Sequence, residues 1–265
     1  LIAGCNLFKH LINQKKISEK LDRLIKNNTK SKVVRCNYAY NNNFSYSWDT
    51  KKYFDYSQDF KNYFPKFKCK KLSEINYKDN KKIKIGFISG NLCNNHSVTY
   101  FLKNTFKYMD KSKFEIYIFY FGNKKSSKII EDINNNIDFN FDITNLDNQK
   151  VIDLIQSKKI NILFDLMGVT DADRIEIFNN RVCPIQISWL GYCNTIGFDT
   201  IDYILADKNL IKEDEKKYYS EKILELPYIW NVHSGFDFER NNVESPFIQN
   251  GYITFGSFGN FRKIS

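Results

Sequence analysis

From Lys82 onward the chain alternates short apolar, β-branched runs with amphipathic stretches of helical length, and no other feature of the sequence constrains the fold as tightly. The run Ile83-Lys84-Ile85-Gly86-Phe87-Ile88-Ser89 reads as a strand that ends at Gly90, followed by a helix over 97–109. Phe114 to Phe121, Ile160 to Met167 and Pro184 to Leu190 read as further strands, with helices over 125–134, 148–158 and 172–180. Tyr203 to Ala206 and Ile223 to Leu226 read as short strands around a charged helix at about 212–219. Such alternation implies an α/β fold: a mainly parallel, Rossmann-like sheet with helices on both faces. Ligands of these sheets bind beyond the carboxyl ends of the strands, which directs attention to loops 89–97, 122–125, 167–172 and 190–200.

The first 80 residues differ in character. Leu7, Leu11, Ile17, Leu21, Leu24 and Ile25 recur at helical spacing, so 6–27 reads as one or two amphipathic helices. Residues 28–50 are polar and Asn-rich and read as loop, Tyr53 to Tyr63 as a helix, and Lys66 to Lys82 as a basic linker. The expected organisation is a helical lead-in over 1–80, a Rossmann-like body over 81–250, and the start of another unit over 251–265. The chain begins at Leu1 and ends directly after a strand-like run, so both ends read as cut.

Composition narrows the functional classes. At 42% hydrophobic residues the chain can build a core, and no uncharged apolar run is long enough to span a bilayer. Six cysteines, none in a C-x-x-C pair, and three histidines give no spacing suited to a structural metal site, and a reducing, cytoplasmic setting is expected. The net charge of +10 raises the question of a polyanion partner. Its lysines are dispersed among Asn, Ile, Phe and Tyr instead of clustering as arginines, so nucleic acid is not the expected partner.

The loops carry the chemistry. Ser89-Gly90-Asn91-Leu92-Cys93-Asn94-Asn95-His96-Ser97-Val98 lacks both G-x-G-x-x-G and a P-loop. It places His96 at a helix N-terminus, where the dipole disfavours the imidazolium and a neutral ring is free to take part in proton transfer or hydrogen bonding. Asp165, near the end of the 160–167 run, is a candidate general base, and Thr170 or Asp171 can cap the helix that follows; the alternative is a capped helix with solvated acids. The stretch Trp189-Leu190-Gly191-Tyr192-Cys193-Asn194-Thr195-Ile196-Gly197 breaks a strand into a two-glycine loop able to bring backbone N–H groups to a ligand. Near the end, Lys263 beside a Gly-containing turn is a candidate phosphate cation.

In order, these pieces resemble a known family. Ile85-Gly86-Phe87-Ile88-Ser89, Asn95-His96-Ser97-Val98-Thr99-Tyr100-Phe101-Leu102, Ile160 to Gly168, Pro184-Ile185-Gln186-Ile187-Ser188-Trp189-Leu190-Gly191-Tyr192, Asp202-Tyr203-Ile204 and Tyr219-Ser220-Glu221-Lys222 are collinear with the amino-terminal half of the catalytic region of the SPINDLY-like O-linked N-acetylglucosamine transferases. The resemblance implies one half of a GT-B glycosyltransferase. It implies inverting, metal-independent transfer of N-acetylglucosamine from UDP-N-acetylglucosamine to Ser or Thr hydroxyls of protein or peptide acceptors, without a cofactor. It also implies that His96 is the active-site histidine, that Asp153 assists proton transfer, and that Lys263, with Asn260 beside it, binds the UDP diphosphate. The sequence departs from the family at Val169, where a polar ring is usual, and at Cys193-Asn194, where Pro-Gly is usual. Two alternatives stay open: a related transferase with another donor or acceptor, and a non-catalytic basic module.

Overall fold

The computed structural model describes residues 15–45, 47–92, 96–123, 127–235 and 244–256. Seven strands form one sheet: β1 (Ile83–Ser89), β2 (Phe114–Tyr120), β3 (Phe139–Asp142), β4 (Ile162–Asp165), β5 (Ile185–Ser188), β6 (Tyr203–Ala206) and β7 (Lys222–Glu225). Their order is β3-β2-β1-β4-β5-β6-β7, and every neighbouring pair is parallel. The chain winds outward from β1 to β3, then returns to β4 on the other side of β1. The β1–β4 seam is therefore the topological switch point, where a crevice opens beyond the carboxyl ends of the strands. The fold is the Rossmann-like parallel sheet expected of one GT-B half.

Strand alternation sorts the core into two layers. Ile85, Phe87, Ile116 and Ile118 point to the face covered by α4 (Ser97–Tyr108) and α5 (Lys128–Asn134), where they meet Leu102, Phe106, Ile130 and Ile133. Ile88, Tyr117 and Phe119 point to the opposite face, against Val151, Ile152 and Ile155 of α6 (Asn148–Ser157) and Phe178 of the single turn α7 (Ile175–Phe178).

The lead-in joins this second layer. Residues 15–26 are helical (α1). They are followed by α2 (Lys32–Asn42) and α3 (Thr50–Phe60), and Cys36 and Ala39 of α2 and Phe60 of α3 belong to the same apolar cluster as α6. The Asn-rich stretch 28–50 was expected to be loop; it contains α2 instead. The Ser31 hydroxyl caps that helix by accepting the Val34 N–H, and burial of its 36/39 stripe outweighs the poor helix propensity of its asparagines. The basic linker is an extended strap. Gln149 of α6 accepts the Lys68 N–H and donates to the Lys68 carbonyl, and Gln156 does the same for Lys70, as a neighbouring strand would.

Other differences are local. The helix expected over 172–180 is one turn, and that over 212–219 shrinks to a 3-10 turn at Lys216–Tyr218. The edge strand β3 was not anticipated: its Phe-Asn-Phe-Asp alternation spans only four residues beside an asparagine run. The last helix, α8, is short (Pro246–Asn250). No helix among the described residues is long and apolar enough to cross a membrane.

Candidate active site

Three loops meet at the switch point, leaving β1, β4 and β5. The first ends at His96, which is the N-cap of α4: its Nδ1 accepts the Val98 N–H at 3.3 Å. With Nδ1 used as an acceptor, the proton of the neutral ring sits on Nε2. Partial burial lowers the His96 pKa and keeps the ring neutral. The shift runs in the direction expected from the helix dipole, but its cause is burial.

The second loop is organised by Asp165. This carboxylate is 3% exposed, and it accepts the N–H groups of Met167 at 2.9 Å and Gly168 at 3.0 Å. Asp165 therefore shapes the turn that carries Met167, Val169 and Thr170, and its bonds are turned inward to that backbone. Burial raises its pKa to about 6 against the two backbone bonds that lower it. Because the folded pKa lies above the unfolded one, the unfolded chain ionises first. Stability is lost as pH rises from about 4 to about 6, by up to roughly 3 kcal/mol. Asp165→Asn should flatten this part of the profile, read as denaturant midpoints across that window; an unchanged slope would contradict the assignment.

The third loop leaves β5 through a classic γ-turn. Leu190 has φ +77°, and the Gly191 N–H bonds back to the Trp189 carbonyl at 3.1 Å. Backbone strain of this kind is held only where the surroundings over-determine it. Here the Trp189 indole donates to the Trp230 carbonyl at 2.9 Å, and Gly191 lies against β4's exit: a Cβ on it would sit 1.8 Å from the Leu166 carbonyl oxygen. Further along, Glu221 is 3% exposed and takes the Thr195 hydroxyl at 2.7 Å and the Ile196 N–H at 2.8 Å. The Tyr-Ser-Glu-Lys stretch before β7 is thus the fastening of the 193–197 loop. Glu221→Ala, which leaves the Ile196 N–H unpaired and the Thr195 hydroxyl with Ser220 alone, should cost about 2 kcal/mol in a urea titration, with Glu221→Gln closer to wild type. Equal losses in the two variants would argue against this fastening.

Together the loops line a cavity of about 440 Å³. Asn91, His96, Ser97 and Val98 come from the first loop and α4, Met167, Val169 and Thr170 from the second, and Leu190 and Gly191 from the third. Asn37 and Tyr40 of α2 complete the wall. Val169, where the sequence departs from the resembled family, is 3% exposed and belongs to the apolar cluster below.

Of the residues singled out from the sequence, the structure places His96 in this cavity. Asp153 is not among its lining residues: it lies on the exposed face of α6, where it accepts from Gln149 Nε2 at 3.0 Å. Asn260 and Lys263 lie outside the described residues. Sequence reasoning missed Asn37 and Tyr40, since nothing in an Asn-rich stretch read as loop ties it to a pocket more than 50 residues downstream. It also missed Glu221's fastening role, which only the contact with Thr195 reveals. No cluster of His, Cys, Asp and Glu suited to a metal ion occurs among the described residues.

Comparison with known proteins gives a consistent picture. The model of glycosyl transferase family 41 matches residues 60–236. The chain is 29% identical over 194 residues to a protein of Arabidopsis thaliana named probable UDP-N-acetylglucosamine–peptide N-acetylglucosaminyltransferase SPINDLY, covering 72% of this chain and 21% of that protein. It is 31% identical over 195 residues to the Oryza sativa protein of the same name, covering 71% of this chain and 21% of the relative. The chain thus spans about a fifth of the length of these curated relatives. Among solved structures, a mutant of the Thermobaculum terrenum O-GlcNAc transferase superposes with a TM-score of 0.68 at 22% identity, covering 76% of this chain and 38% of that one, which supports the fold.

Proposed function

Because the chain belongs to glycosyl transferase family 41, we propose that it is part of an enzyme that transfers N-acetylglucosamine from UDP-N-acetylglucosamine to Ser or Thr hydroxyls of proteins. The observation that carries this reading is the cavity at the β1–β4 switch point, with a neutral histidine at its edge. The relatives' names, which state transfer of this sugar to peptides, point to the donor and acceptor class. A reducing, cytoplasmic setting, expected from the cysteine spacing, is part of this proposal.

In the proposed reaction the acceptor oxygen attacks the anomeric carbon, the bond from that carbon to the diphosphate oxygen breaks, and UDP leaves with inversion. His96 contributes through Nε2–H, which donates to the acceptor oxygen and aims its lone pair at the sugar. Used this way the histidine keeps its Nδ1 bond to Val98 and α4 stays capped. Acting instead as a base through Nε2 would require the other tautomer and the loss of that cap. The hydroxyl proton then passes to solvent or to a neighbouring group. Charge on the leaving diphosphate requires a fixed cation, and in the resembled family Lys263, beside Asn260, supplies it. Asp153, exposed on α6 and not among the residues lining the cavity, is given no step in this scheme.

The test is a donor screen on the full-length protein. Peptides incubated with UDP-N-acetylglucosamine should gain the sugar by mass spectrometry, and should do so in the presence of a chelator. Transfer only from UDP-glucose or a fucose nucleotide would overturn the donor assignment. No transfer from any donor would overturn the enzymatic reading.

A further inference from the structure

We infer that α2 is the acceptor wall of the cavity, and that Asn37 and Tyr40 hold the acceptor polypeptide and set which acceptors this protein takes. The inference rests on the transferase reading above and adds to it the residues that choose the substrate. Three observations carry it: where α2 comes from, how firmly it is held, and what it presents.

The helix lies outside residues 60–236, the part matched by the family, yet it forms one side of a cavity whose remaining walls come from inside that range. The matched part of the site is therefore completed by a segment that lies outside the family match. Reaction chemistry depends on the former, and substrate preference is free to vary with the latter.

The helix is held firmly. Lys32, at its first turn, bonds to the Glu176 carboxylate, which is 4% exposed, and pairs with Asp173 at 3.0 Å. Cys36 and Ala39 are buried in the cluster beneath the sheet. The Tyr56 hydroxyl donates to the Arg35 carbonyl at 3.1 Å, and Asn194, from the loop beyond β5, donates to Asn43 at 2.5 Å. A wall fixed on both its flanks can select by shape, since ordering it costs nothing when the substrate arrives.

What the helix presents is uncharged and unspent. Asn37 and Tyr40 stand three residues apart on the exposed side, one position round from the buried 36/39 stripe. Neither the Asn37 carboxamide nor the Tyr40 hydroxyl has a hydrogen-bond partner among the described residues. The Tyr40 ring is braced edge-on against Phe44 at 5.6 Å. A carboxamide matches the donor and acceptor of a peptide bond, and a braced phenol ring gives a side chain a flat surface to lie on. No Lys or Arg lines the cavity among the described residues, so this wall suits a polypeptide and not the diphosphate of the donor.

Steady-state kinetics of the full-length protein, with UDP-N-acetylglucosamine and a panel of acceptor peptides, separates the possibilities. Tyr40→Ala and Asn37→Ala should each raise the acceptor KM about tenfold and reorder the peptide panel, with the donor KM within about twofold of wild type. Tyr40→Phe, which keeps the ring, should stay closer to wild type than Tyr40→Ala. Thermal melting of each variant shows that the wall still stands. An unchanged acceptor KM and peptide ranking, or a rise in the donor KM instead, overturns the inference while leaving the transferase reading in place. A wild-type protein that transfers to no peptide overturns that reading, and the inference with it.

Discussion

His96→Ala in the full-length protein should lower kcat for sugar transfer by about 10²- to 10⁴-fold, the range expected when a positioned hydrogen-bonding or proton-transfer group is removed. The donor KM should change far less, because in the proposed reaction the ring's Nε2–H donates to the oxygen that attacks. The same histidine should set the acid side of the pH profile. A second proton can only go onto Nδ1, where it displaces the Val98 N–H and puts a positive charge at the start of α4. Burial already holds the pKa below the ordinary imidazole value. The rate should therefore stay level through neutral pH and fall only as pH drops through that lowered pKa, together with the cap of α4. Full transfer by the alanine variant would remove His96 from the mechanism. A rate that rises on acidification would contradict the neutral ring.

Gly191→Ala should be the most damaging small substitution in the site. An added Cβ would lie 1.8 Å from the Leu166 carbonyl oxygen and 2.6 Å from its carbon, and these are backbone atoms that no rotamer change can move. The loops leaving β4 and β5 must part, and they part at the γ-turn whose strain their packing sustains. A loss of about 3 kcal/mol or more is expected in urea unfolding of the chain, larger than ordinary overpacking of a flexible side chain. Transfer should fail with it, since the two loops are the floor of the cavity. Gly168 offers a parallel case: its φ is +54°, and a Cβ would meet the Tyr192 Cβ at 2.4 Å. A Gly191→Ala chain as stable as wild type would mean that the close approach is not needed to hold the two loops.

Much of this was legible in the sequence because the sheet is buried on both faces. The β1 and β6 runs have no competing helical pattern, and both strands have the bounds read from the residues alone, Ile83–Ser89 and Tyr203–Ala206. Long amphipathic helices such as α4 and α6 show their 3.6-residue period directly. The failures fall where tertiary contact decides. The stretch carrying α2 has the composition of a loop, and becomes helical through a serine cap and two buried small residues. Edge strand β3 does alternate, Phe-Asn-Phe-Asp, but it is four residues long, mostly exposed and follows an asparagine run, so its alternation is too brief to stand out.

The site divides in the same way. His96 could be singled out because a strand, a glycine and a helix start bracket it in sequence. Asp165 could be found as an acid at a strand end, but only the inward direction of its bonds shows that it builds the turn. Asn37, Tyr40 and Glu221 meet the other parts of the site across 25 to 154 residues of chain, a separation that no local pattern records.

The central claim is that the cavity at the β1–β4 switch point is where the sugar is transferred. The measurement that tests it most directly is a crystal structure of the full-length protein with UDP-N-acetylglucosamine and an acceptor peptide, using a non-transferring donor analogue. The expected result is the acceptor hydroxyl about 3 Å from His96 Nε2, with the peptide lying along Asn37 and Tyr40. An acceptor bound away from this cavity, or a His96 ring turned so that Nε2 takes the Val98 N–H, would contradict it.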